Sequence, residues 1–171
     1  MNNETRIALT GFMGVGKSSV ARHLSQVIRS RWVDLDKIIE ENDGRIIAKI
    51  IDEDGIDAYR ALETQNLERV LSEIDTRILS LGGGTWTIPA NRELLKRSGY
   101  TSVWLESTFE HCWLNISFSR KDRPLARDKQ TARQLFEERQ KVYCLADWHF
   151  ILRSGYTSND VARQIAEEIF S

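Results

Sequence analysis

Gly11-Phe12-Met13-Gly14-Val15-Gly16-Lys17-Ser18 sets a lysine and a hydroxyl behind a run of glycines, in the order Gly, four residues, Gly-Lys-Ser. That spacing suits phosphate chemistry. Glycines allow backbone angles closed to other residues and let the chain approach a ligand closely. Loop N–H groups, with the N-terminus of a following helix, make a concave anion site. Lys17 can reach the β- and γ-phosphates of a nucleotide, and the Ser18 hydroxyl can hold Mg²⁺. Gly14, Val15, Gly16, Lys17, Ser18 and Ser19 are therefore the expected nucleotide contacts. The pattern leaves open what receives the phosphate.

Other stretches carry chemistry only beside such a loop. Asp34-Leu35-Asp36 closes an apolar run, and alternation along an extended segment puts both carboxylates on one side. One could help hold Mg²⁺ and the other accept a substrate hydroxyl. Taken alone, the pair reads equally as a helix cap and a solvated charge. Leu81-Gly82-Gly83-Gly84-Thr85 costs ordering entropy, for which close approach to a ligand is the expected return and a tight turn the alternative. Ser119 to Lys129 is dense in charge, mostly basic and broken by Pro124. Alone it reads as a solvated loop; opposite a triphosphate it reads as a mobile lid that supplies cations and excludes water. Arg60, within Tyr59-Arg60-Ala61-Leu62-Glu63, gains weight only from this context. His23, His111 and His149 lack metal spacing and read as surface or packing residues.

The elements that must position these groups alternate. Candidate strands are Ile7-Leu9, Trp32-Asp34, Arg77-Leu81, Tyr100-Leu105 and Trp148-Leu152, with helical patterns between them. After the glycine loop, Val20, Leu24, Val27 and Ile28 share one helical face. Lys37 to Ile74 is mostly helical, with breaks at Asn42-Asp43-Gly44 and Asp54-Gly55, too long for a minimal crossover and suited to a small substrate-binding lobe. Pro89 suits the first turn of a helix running to about Arg97. Ser107-Thr108-Phe109-Glu110 reads as a capping box. Helix signals resume around Thr131, and a last helix near Ser158 buries Val161, Ile165 and Ile169. The order predicts a parallel sheet covered by helices on both faces, with ligands beyond the carboxyl ends of the strands.

The chain has 171 residues, 41% of them hydrophobic, enough for one domain with a real core. A net charge of −1 gives no general attraction to nucleic acid or anionic membrane. No stretch approaches the roughly 18 apolar residues of a membrane helix. Cys112 and Cys144 are far apart and read as two reduced thiols. The polar start Met1-Asn2-Asn3-Glu4-Thr5 does not read as a signal peptide. A cytoplasmic monomer is expected.

Together these residues resemble the shikimate kinase family, over nearly the whole chain. The resemblance rests on Gly11 to Ser18, Asp34-Leu35-Asp36 followed by Ile38-Ile39-Glu40, and Tyr59-Arg60-Ala61-Leu62-Glu63. It continues through Leu81-Gly82-Gly83-Gly84, Arg123-Pro124-Leu125, and Arg139 with Tyr143-Cys144-Leu145-Ala146-Asp147. It implies an α/β fold like the nucleoside monophosphate kinases: a three-layer α/β/α P-loop kinase with a five-stranded parallel sheet. The single domain would span 1–171, with a substrate-binding lobe at about 35–64 and a lid at about 117–130. It implies transfer of the ATP γ-phosphate to the 3-hydroxyl of shikimate, with Mg²⁺. Asp36, Arg60, Gly82, Gly83, Gly84 and Arg139 match the shikimate-contacting positions. Arg123 matches the lid arginine on the phosphates, and Ser18 and Asp34 match the Mg²⁺ positions. Lys17, Asp36 and Arg123 are the expected catalytic residues. Arginine forks suit a carboxylate, and Asp36 suits vicinal hydroxyls.

Two departures bear on function. Ala126 stands where leucine is frequent after Arg-Pro-Leu, and Trp113 to Ser119 lacks the arginine that packs on adenine in many members. Arg120, Trp113 or Phe118 are the substitutes at hand. Gluconate or another small polyol acid is the alternative acceptor, and a binding module without turnover the alternative class. One pocket would require the guanidinium groups of Arg60 and Arg139 to converge on the triple-glycine bend.

Overall fold

The computed structural model describes residues 4–171; Met1, Asn2 and Asn3, on which the expectation about a signal peptide partly rests, lie outside them. The first strand, β1 (Arg6–Thr10), is buried from Ile7 to Thr10 without alternation. Consecutive burial means that both faces are covered, as in parallel sheets flanked by helices. The other strands are β2 (Trp32–Asp34), β3 (Ile78–Ser80), β4 (Tyr100–Glu106) and β5 (Trp148–Ile151). Among the described residues they form one five-stranded parallel sheet in the order β2-β3-β1-β4-β5. The five expected strands are all present, with ends moved by one residue where pairing stops short of the apolar run or outlasts it.

Strand order reverses direction at β1, so the carboxyl ends beside it form the crevice where open sheets of this kind bind ligands. Register makes the crevice compact. Leu9 pairs with Ser80, and Ser80 with Asp34, so three strands end level.

Helix α1 (Lys17–Val27) leaves the glycine loop with Val20, Ala21 and Leu24 buried. Val27, expected on this face, is 38% exposed. The helix ends there, and Ile28 turns inward instead. The last helix, α8 (Ser158–Ile169), packs on α1 through Val161, Ala162 and Ile165. Phe170 is buried where Ile169 was expected to be, and Ile169 is only partly so. A full capping box of Thr157 and Asp160 starts α8.

Between β2 and β3 stand α2 (Leu35–Asp43), α3 (Ile47–Asp54) and α4 (Ile56–Glu73). Gly44 and Gly55, at φ 88° and 90°, stop the first two where the sequence showed breaks. Arg45 braces that corner by bonding Asp43, Glu53 and Asp54. Helix α5 (Pro89–Arg97) precedes β4, and α6 (Phe109–Phe118) and α7 (Lys129–Tyr143) precede β5.

The expected capping box before α6 does not form. Thr108, not Ser107, caps the helix by accepting from His111 N, which leaves Glu110 to pair with Lys129 and Arg133 of α7. Helix α7 starts at Lys129, because the Asp128 carboxylate accepts from both the N–H and the hydroxyl of Thr131. Between α6 and α7 the charged segment contains one 3₁₀ turn, Pro124–Ala126.

Helix α1 carries the phosphate loop and is wedged between the sheet and α8. Leu24→Ala should therefore cost about 2–5 kcal/mol, read as a lower urea midpoint at unchanged slope. An unaltered midpoint would mean that this wedge does not hold the helix.

Candidate active site

The glycine loop is shaped by packing as well as by backbone freedom. Phe12 and Val15 are buried, Phe12 against the edge of Phe136 at 5.1 Å. Gly14 sits at φ 80°, and a Cβ there would stand 2.6 Å from the Cys112 carbonyl oxygen. Gly16, at φ 101°, opens α1 and turns its first N–H groups to the crevice. Lys17 Nζ donates to the carbonyls of Gly11 at 2.7 Å and Phe12 at 3.1 Å. Burial lowers its pKa to about 8, with Asp36 opposing the shift. A phosphate beside it would restore the charged form.

Asp34 and Asp36 do not lie along one extended segment, as alternation suggested. Asp34 is extended and caps α2, its Oδ1 accepting from Asp36 N at 3.0 Å. Asp36 therefore falls in the first helical turn. The cap is real, and the same carboxylate also serves the crevice: Asp34 Oδ2 accepts from Ser18 Oγ at 2.9 Å. These are hard oxygen donors, of the kind that bind Mg²⁺ together with phosphate oxygens and water. No group of three or more His, Cys, Asp or Glu gathers as a metal cage among the described residues. The donor set thus fits an ion that arrives with a phosphate chain.

Burial raises the pKa of Asp36, against the pull of Lys121. Lys121 Nζ is 3.5 Å from Asp36 Oδ2. Arg60, on α4, donates to Glu63 Oε1 at 2.7 Å and lies over the Tyr59 ring. Glu63 is fully buried and also accepts from Tyr59 and Thr85 hydroxyls. Arg139, on α7, is 6% exposed, and its Nη1 has no hydrogen-bond partner. Burial lowers its pKa. Tyr143 donates to the Gly83 carbonyl and holds the bend from below.

The triple glycine, expected to permit close approach to a ligand, does not mark an unusual backbone. None of Gly82, Gly83 and Gly84 has a left-handed φ. What they supply is room for charged side chains. A Cβ on Gly82 would stand 2.7 Å from Asp36 Oδ1, on Gly83 3.2 Å from Arg139 Nη1, and on Gly84 2.7 Å from Arg60 Cζ. The backbone is approached by the site's own carboxylate and guanidinium groups, and Arg60 and Arg139 converge on adjacent glycines.

All of this opens into one cavity of about 670 Å³. Every residue assigned from sequence to the phosphates, Mg²⁺ or the acceptor lines it: Gly14 to Ser19, Asp34, Asp36, Arg60, Gly82 to Gly84, Arg123 and Arg139, whereas Arg120 does not. Arg123 is half-buried, and desolvation lowers its pKa. Trp113 and Phe118 do not line the cavity. Trp113 stacks on Phe109, and Phe118 is 83% exposed. Their side of the cavity is walled instead by His111, Asn115, Leu152 and Tyr156. His111, expected to be a surface or packing residue, is exposed and sits on the cavity wall one turn before Asn115. Asn115 Nδ2 also donates to the Gly14 carbonyl at 2.8 Å. Sequence reasoning gave no role to Glu63, although its i,i+3 spacing from Arg60 was a usable signal. Lys121 was one basic residue among several.

A sequence model of the family described as Shikimate kinase matches residues 13–170. A shikimate kinase of Streptococcus thermophilus is 37% identical over 161 residues, 92% of this chain and 96% of its own length. Among solved structures, shikimate kinase from Acinetobacter baumannii in complex with shikimate has a TM-score of 0.88 and 31% identity, covering 97% of this chain and 93% of that one. A gluconokinase from Sinorhizobium meliloti has a TM-score of 0.55 at 15% identity, over 98% of this chain and 96% of its own, a likeness of fold alone.

Glu63 is the buried carboxylate that Arg60, Tyr59 and Thr85 all bond. Removing one partner of a buried pair strands the other, so Glu63→Ala should lower stability by about 3–5 kcal/mol. Thermal and urea unfolding measure this, and wild-type stability would show that Arg60 needs no such anchor.

Proposed function

The chain belongs to the shikimate kinase family, and we propose that Lys17, Asp36 and Arg123 carry its reaction. That reaction transfers the ATP γ-phosphate to the 3-hydroxyl of shikimate, giving shikimate 3-phosphate and ADP on the route to chorismate and the aromatic amino acids. The enzyme uses ATP with Mg²⁺. The single observation that best supports the residue roles is the meeting of Arg60 and Arg139 at Gly84 and Gly83, in the same cavity as Lys17 and Ser18.

The roles follow from charge and reach. Arg60 and Arg139 offer guanidinium forks to the shikimate carboxylate. Glu63 holds the first from behind, and Arg139 Nη1 has a free donor to give. Asp36 Oδ1, buried and without a partner, takes the 3-hydroxyl and orients its oxygen or accepts its proton. Gly14 to Ser19 cradle the triphosphate through backbone N–H groups, with Lys17 on the β- and γ-phosphates. Ser18 and Asp34 would hold Mg²⁺, which would supply positive charge to the phosphate oxygens. Arg123 adds a cation from the lid. Phosphoryl transfer needs mostly positioning and charge stabilisation, and these groups supply both. The lid covers the cavity so that water does not become the acceptor.

Residues 35–64 are the substrate lobe in this reading and 117–130 the lid, within one kinase domain. All groups used by the transfer lie in one chain's cavity, so the reading needs no residue from a second copy. Cys112 and Cys144 are both free, which supports a reducing, cytoplasmic setting. No helix among the described residues is long and apolar enough to cross a membrane.

A coupled assay of ADP release tests the reading. Shikimate should stimulate release strongly and gluconate should not; equal rates with both would reassign the acceptor. In the same assay Arg139→Ala should weaken shikimate binding by about 2–5 kcal/mol, with the KM for ATP little changed. A change confined to ATP would place Arg139 at the wrong substrate.

A further inference from the structure

We propose that Lys121 is a further substrate-contacting residue: the lid carries its ammonium to the acceptor end of the cavity, beside the oxygen that attacks phosphorus. This rests on the reading that Asp36 receives the acceptor hydroxyl. Lys121 Nζ stands 3.5 Å from Asp36 Oδ2, while Asp36 Oδ1 is buried and unpartnered beside Gly82. The two oxygens are thus divided, one beside a lid cation and the other open to a hydroxyl. An acceptor oxygen bonded to this carboxylate falls within the sweep of a flexible lysine stem.

Charge places Lys121 where the two halves of the cavity meet. It opposes the charged form of Lys17 at the phosphate end and favours that of Asp36 at the acceptor end. The lid geometry explains how it gets there. Arg127 bonds Asp122 at 2.9 Å and Asp52 of α3 at 2.8 Å. Arg127 thus ties this stretch to the lobe, and Lys121, Asp122 and Arg123 all line the cavity. The lid then presents a pair of cations, Arg123 for the triphosphate and Lys121 for the acceptor. No covalent step is added. The acceptor O–P bond forms and the bond to ADP breaks as before, with Lys121 offsetting charge on the oxygens around phosphorus.

Lys121→Met keeps most of the stem and removes the charge; Lys121→Arg keeps the charge. Initial rates would be measured with shikimate and ATP varied separately, alongside Asp36→Asn. Lys121→Met should lower kcat/KM for shikimate by about 10²-fold and leave the KM for ATP unchanged, and Lys121→Arg should recover much of the loss. Wild-type kcat/KM in Lys121→Met, a loss confined to the KM for ATP, or no recovery at all in Lys121→Arg would each overturn the proposal. The controls separate its failure from that of its premise. If the wild type shows no shikimate-dependent ADP release, the assigned reaction fails. If the wild type is active, Asp36→Asn is crippled and Lys121→Met is normal, Lys121 alone is excluded.

Discussion

Leu81 donates its N–H to the Leu9 carbonyl at 3.0 Å, continuing the parallel ladder in which Leu9 faces Ser80. This rung decides where two glycine loops leave the sheet. Parallel strands end at the same edge, so the phosphate loop after β1 and the triple glycine after β3 emerge side by side. A slip of one residue would invert the faces of either strand and separate the loops. Helices then deliver charge to that edge. Helix α2 begins there with Asp34 as its cap and Asp36 in its first turn. Helices α4 and α7 bring Arg60 and Arg139 from outside the sheet. Catalytic geometry in this protein is first a matter of strand register and only then of side chains.

The site that results is rich in cations. Lys17, Arg60, Lys121, Arg123 and Arg139 face Asp34, Asp36 and Glu63 around one cavity. Burying like charges together is costly unless each has a partner. Lys17 leans on loop carbonyls and Arg60 on Glu63. Arg139 is the least supported, nine-tenths buried with a bare Nη1, and burial pushes its pKa down. An imbalance of this kind disfavours the free protein and favours anions in the cavity, which suits the triphosphate and the carboxylate of the proposed reading. The stability given up in the fold is differential binding toward the substrates.

Much of this was legible in the chain. The phosphate loop and the strands could be read because local spacing dictates them. Gly44, Gly55 and Pro89 mark helix ends through backbone geometry that does not depend on neighbours. What was not legible depended on long-range packing. Three consecutive glycines suggest close approach to a ligand or a tight turn; their φ values are ordinary, and the space they leave is used by Asp36, Arg60 and Arg139 from three other elements. Asp34 and Asp36 read as an alternating pair because nothing local says that the strand stops between them. Trp113 looked available for a flat ligand, but the neighbouring Phe109 and Phe136 draw it into an aromatic cluster. His111 is the exposed residue expected of a lone histidine, and its place on the cavity wall follows only from where α6 docks. Lys121 could not be told from its basic neighbours without coordinates.

Read as the lid proposed above, residues 117–130 show how closure can be specific without being strong. Its base is anchored: Ala126 is buried against Phe109 and Ala132, with Phe136 and Trp113 packed around them. Bulky aromatic neighbours fill that small cluster, which is consistent with an alanine where leucine is frequent. Its far side is held to the lobe by the Arg127–Asp52 pair, whose side chains are 49% and 51% exposed. An exposed ion pair contributes only about 0–1 kcal/mol, too little to keep the cavity shut on its own. Stronger attraction has to come from the ligands themselves, through Arg123 and the cations beside it. In the proposed reading, a lid with a firm base and a weak latch would close when charge arrives beneath it, coupling water exclusion to the presence of the groups that react.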